Sequence, residues 1–164
     1  MDITIQIVIS ILTILCSLLV TKIEFRNNIN LHKENIKTEQ TPYIISDIMN
    51  FMQGEVQEKQ EQFVHSLSIQ IIQFGSEKAM AIYELIRNDN YLNKLDNNCV
   101  NGMTTLSLCA LLISQLRYDA NNEIVKPDSI LRTYIKDYDS CKADVAKSVN
   151  NAVSKLKLSR KFVV

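Results

Sequence analysis

Tryptophan is absent, and glycine, proline and histidine are scarce: three Gly, two Pro and two His in 164 residues. So few turn-formers disfavour a turn-rich β fold and suit long helices. His32 and His65 each lack a second His or Cys three or four positions away, so no helical metal pair is expected. No glycine-rich phosphate loop, HExxH, GxSxG or kinase signature occurs. A surplus of one charge sign is missing too, with 18 basic and 18 acidic residues. That balance argues against bulk nucleic-acid binding, and no nucleic-acid partner is expected. Cys99, Cys109 and Cys141 are widely spaced with no CxxC, and the cytoplasmic location expected below predicts free thiols; no cofactor is expected.

The longest apolar run is N-terminal. From Ile3 to Val20 the chain reads ITIQIVISILTILCSLLV, without a charge, Gly or Pro. As a helix it rises roughly 27 Å, close to a hydrocarbon core of about 30 Å. This predicts a single transmembrane helix. Gln6, Ser10, Thr13, Ser17 and Thr21 recur at helical steps and share one face. Small hydroxyls allow close backbone approach, so the face is a candidate for self-association or for a partner's membrane helix. The alternative is that its hydroxyls bond back to their own helix. Lys22, Arg26, Lys33 and Lys37 follow the span, which predicts an N-terminus outside the inner (plasma) membrane and residues 22–164 in the cytoplasm. No basic n-region or small-residue cleavage site precedes Cys16, so neither a signal peptide nor lipidation is expected.

The rest amounts to one ordinary domain. Residues 22–41 are polar with sparse apolar points, either a helical stalk or a linker. Thr41-Pro42 reads as a helix start, followed by Ile45, Ile48, Met49, Met52 and Val56 at helical spacing. The polar stretch 54–62 is an exposed helix end or a bend at Gly54. Phe63, Leu67, Ile71 and Phe74 predict a second helix over an alternating-strand reading, because no second strand exists to pair with it. Ser76 is a candidate N-cap for a helix over roughly 77–89. The segment 88–102 is Asn- and Asp-rich but lacks the spacing of a calcium loop. Thr104–Leu116 is strongly apolar and too short to span a bilayer, so it is the expected central helix. Arg117 and Asp119 end it, as a candidate polar site or as a solvated last turn. Pro127-Asp128 opens a final segment, either one helix or two broken near 137–140. Lys155, Lys157, Arg160 and Lys161 stand beside Phe162, Val163 and Val164, a candidate lipid-contacting tail or a frayed polar end.

From Phe74 onward the chain resembles a loosely defined group of uncharacterised bacterial proteins with an N-terminal membrane helix and a small helical domain. The carrying residues are Phe74-Gly75-Ser76-Glu77, the helix end LISQLRYD (112–119) and Lys126-Pro127-Asp128. Tyr118 and Ala120 depart from the pattern. The resemblance implies architecture and no activity. Small membrane-tethered helical proteins occur in antiviral defence, an association only.

The expected fold class is all-α, a transmembrane anchor (1–21), a stalk or linker (22–41), a helical domain of four to five helices (42–158) and a basic tail (159–164). The expected function is a membrane-tethered, non-catalytic interaction module, a scaffold or accessory subunit. Its expected partners are membrane lipid and a second copy or a partner membrane protein. The alternative is an oligomerising, membrane-acting effector, toxin-like or defence-related. A third reading places an enzyme site near Arg117, Asp119 and 88–102.

Overall fold

A computed structural model describes residues 3–53, 60–95 and 102–164, and the side chains of 12–53, 64–89 and 102–164. The elements are α1 (Ile3–Met52), α2 (Gln60–Phe74), α3 (Glu77–Leu95), α4 (Gly102–Asn121), α5 (Pro127–Tyr134) and α6 (Tyr138–Lys155), then a 3-10 turn, Arg160–Phe162. No strand occurs among the described residues, which agrees with the all-α expectation. The chain divides into two compact units, Met1–Ile36 and Lys37–Val164.

The expected membrane-crossing helix is not found. Among the described residues, no helix is long and apolar enough to cross a membrane. Within α1 the described side chains meet a charge at Lys22. Glu24 and Arg26 follow on the same helix. The single-pass inner-membrane placement and its N-out orientation therefore lose their support. In the first unit every described side chain, Leu12 to Ile36, is exposed.

Thr41-Pro42 does not start a helix. Both residues lie inside α1, and 22–41 is helical throughout. Pro42 cannot donate to the Thr38 carbonyl, a loss of about 3 kcal/mol in a helix interior. Burial of Ile44 and Ile48, each about 1 % exposed, offsets it, at about 1.5–3 kcal/mol per side chain. Thr41 Oγ1 donates to the Lys37 carbonyl at 2.8 Å, bracing the turn.

The second unit is built around α4. Its residues Leu108 to Leu116 are buried without interruption, and it packs against α3, α5 and α6. A helix apolar on all sides belongs in a core. Its serines are tolerated because each bonds inside the helix: Ser107 Oγ donates to Met103 O at 2.6 Å and Ser114 Oγ to Ala110 O at 2.9 Å. Ile71 of α2, Ile82 of α3, Leu131 of α5 and Val145 and Val149 of α6 complete the core.

Ser76 acts as the expected cap, whereas the expected bend at Gly54 lies outside the described residues. Ser76 Oγ accepts from Ala79 N at 3.2 Å, capping α3. Helix α3 runs on to Leu95, so the expected loop 88–102 is helical as far as Leu95, and 96–101 lie outside the described residues. The final segment is two helices, with the break at residues 135–137.

Candidate interaction surfaces

Two hydroxyls of the polar stripe on α1 bond to their own helix. Ser17 Oγ donates to the Ile14 carbonyl and Thr21 Oγ1 to the Ser17 carbonyl, both at 2.9 Å. Thr13 is exposed on the same helix. The side chains of Gln6 and Ser10 lie outside the described residues. Exposed apolar side chains dominate this unit instead: Leu15, Leu18, Leu19, Ile23 and Phe25 are each more than half exposed, Phe25 at 67 %. These exposed apolar side chains follow one another along a single helix rather than standing singly.

Arg117 and Asp119 do not form one site. Arg117 Nη2 donates to Glu123 Oε2 at 2.7 Å on the surface. That hydrogen bond, with one from Asn121, holds the Glu123 carboxyl below its usual range. Asp119 faces elsewhere. Its Oδ2 accepts from Ser76 Oγ at 2.5 Å and its Oδ1 from Gln115 Nε2 at 2.8 Å. Gln115, 1 % exposed, leaves its Oε1 without a partner. Sequence reasoning missed Gln115, although it lies one helical turn before Asp119.

Lys155, Lys157, Arg160 and Lys161 are all exposed, on a chain end that is held down. Helix α6 closes in a Schellman arrangement: Leu158 N donates to Val153 O at 2.9 Å and Lys157 N to Ser154 O at 3.2 Å. Lys157 takes the left-handed position, φ 51°. Phe162 is fully buried and meets Tyr118 edge-on, centroids 6.0 Å apart. Asn150 grips Val164 with both ends of its amide, Nδ2 to the carbonyl and Oδ1 from the N–H, each at 3.0 Å.

Between α3 and α6 runs an open groove of about 530 Å³. Leu85, Met103 and Leu108 line it, with Lys147, Asn151 and Lys155 on the α6 side. Those last three recur every fourth residue, the spacing of one helix face. Across the groove Asp89 accepts from Thr105 Oγ1 at 3.0 Å. A second cavity of about 30 Å³ touches Tyr83, Cys109 and Leu112. Burial pushes the Cys109 thiol up to about 12, which leaves it protonated and a poor nucleophile at neutral pH.

Among the described residues no group of three His, Cys, Asp or Glu side chains could hold a metal ion. His32 and His65 are both exposed. Cys16, Cys109 and Cys141 are free thiols, and Cys99 lies outside the described residues. The chain matches no protein-family model, no curated protein and no solved structure.

Proposed function

We propose that this protein is a non-catalytic interaction module, a scaffold or accessory subunit whose N-terminal helix engages another helix. The observation that carries the reading is the exposure of Leu15, Leu18, Leu19, Ile23 and Phe25 along α1. Covering an apolar side chain is worth about 1.5–3 kcal/mol when complete, so a partner helix laid along these positions has ample driving force. The divergence of Arg117 and Asp119 onto separate structural partners supports the absence of catalysis at that place. The effector alternative needed a membrane-crossing anchor, and the described residues supply none.

The test is site-specific photocrosslinking in cells expressing the full chain, with the probe placed at residue 18 or 25. A discrete crosslinked product, either a second copy or one partner, is expected from both positions and is expected to vanish with Leu15→Asp. No product, or a smear unaffected by Leu15→Asp, would sink the reading.

A further inference from the structure

We infer that α1 pairs with α1 of a second copy of this chain, as a two-stranded antiparallel coiled coil centred between Ile23 and Glu24. This rests on the reading of the chain as an interaction module and names the partner of its N-terminal helix.

The first ground is spacing. Leu15, Leu18, Lys22, Phe25, Ile29, His32 and Ile36 follow one another at alternating steps of three and four. That is the a and d seam of a coiled coil, sustained over three heptads. Five of the seven are apolar, and no other heptad register between Leu12 and Lys37 keeps as many. The second ground is exposure. All seven lie on one unbroken helix and all seven are exposed, so the first unit covers none of its own seam. A helix without tertiary packing is marginal in water, and pairing seam to seam supplies that packing.

The third ground is fit of the helix to itself. Parallel pairing in register would set Lys22 on Lys22 and His32 on His32. The antiparallel register centred between residues 23 and 24 avoids both. It sets Leu18 of one copy against Ile29 of the other, Leu15 against His32 and Lys22 against Phe25. The two-fold axis makes each contact twice. A lysine ammonium over a phenylalanine ring is attractive, and a single lysine at an a position specifies register. On the flank Arg26 falls beside Leu19 and Lys33 beside Leu12. Each long stem then covers a leucine, and no cation faces a cation.

The experiment is light scattering of the full chain after size exclusion. A dimer is expected at micromolar concentration. Leu18→Asp/Ile29→Asp should weaken it by about a hundredfold, since it places carboxylates in the seam. Asn27→Asp/Asn30→Asp puts equal charge on the outer face and should leave the dimer intact. Orientation is read by disulfide trapping in a Cys16→Ser background. An equimolar mixture of Leu18→Cys and Ile29→Cys chains should give the 18–29 crosslink by mass spectrometry, and Leu18→Cys alone should give no 18–18 crosslink. A monomer, a dimer indifferent to Leu18→Asp/Ile29→Asp, equal loss in the control pair, or an 18–18 crosslink overturns the inference. If the photoprobe at residue 18 captures another protein and never a second copy, this inference fails while the module reading stands.

Discussion

Asp119 Oδ2 accepts the Ser76 hydroxyl hydrogen at 2.5 Å, tying the end of α4 to the cap of α3. The same Ser76 oxygen accepts from Ala79 N, so one hydroxyl serves the helix start and the tertiary contact together. Asp119 also supplies the only bond found for the buried Gln115 side chain among the described residues. Asp119→Ala should therefore destabilise the chain by about 2 kcal/mol, since a buried amide is left unpaired. Chemical denaturation checks this. Asp119→Asn should recover part of the loss, because it can still accept one of the two bonds.

The C-terminal clamp has its own signature. Asn150→Ala removes both bonds to Val164 and should cost about 1–2 kcal/mol. It should also free the chain around Phe162. Faster tryptic cleavage after Arg160 and Lys161 than in the parent protein is the expected readout.

Lys157 holds a left-handed conformation that costs a non-glycine residue roughly 1–2 kcal/mol. Its side chain is exposed and its role in closing α6 is carried by the backbone. Lys157→Gly should raise stability by about 1 kcal/mol, a gain of a few degrees in Tm.

Stability should fall at alkaline pH. In the fold, burial raises the Cys109 thiol from its ordinary 9.0 to about 12. Burial, with help from the nearby Asp128 charge, raises the Tyr138 hydroxyl. Both groups stay protonated in the fold while the unfolded chain releases their protons. Stability is therefore full below about pH 9 and is lost above it. Cys109→Val should flatten this slope while its added methyl enters the adjoining cavity of about 30 Å³. Denaturation midpoints at pH 7 and 10 measure the difference.

Thiol accessibility should follow the same geometry. Cys16 is exposed and Cys109 is buried. In a timed alkylation read by mass spectrometry, Cys16 should label within the first points and Cys109 only after denaturation.

Much of the helical architecture was legible in the sequence because it is written in short-range patterns. The steps of Phe63, Leu67, Ile71 and Phe74, the Ser76 cap and Pro127 at the start of α5 are each decided within one or two turns. Thr41-Pro42 misled for the same reason. Locally it is a start signal, and only burial of Ile44 and Ile48 carries α1 through it. Arg117 and Asp119 were legible as polar residues at a helix end, but not as partners of Glu123 and Ser76. Nothing in local spacing ties residue 119 to residue 76.

The sequence by itself determined the all-helical class, the apolar run Thr104–Leu116 and the basic residues Lys155, Lys157, Arg160 and Lys161 near the end. These follow from composition and period, which any segment carries before it folds. Only the tertiary structure decided that Phe162 goes inward, that Asn150 holds Val164, that Asp119 accepts the Ser76 hydroxyl and that α3 and α6 leave a groove between them. Those features depend on residues brought together from distant parts of the chain, and the core packing around α4 is what brings them together.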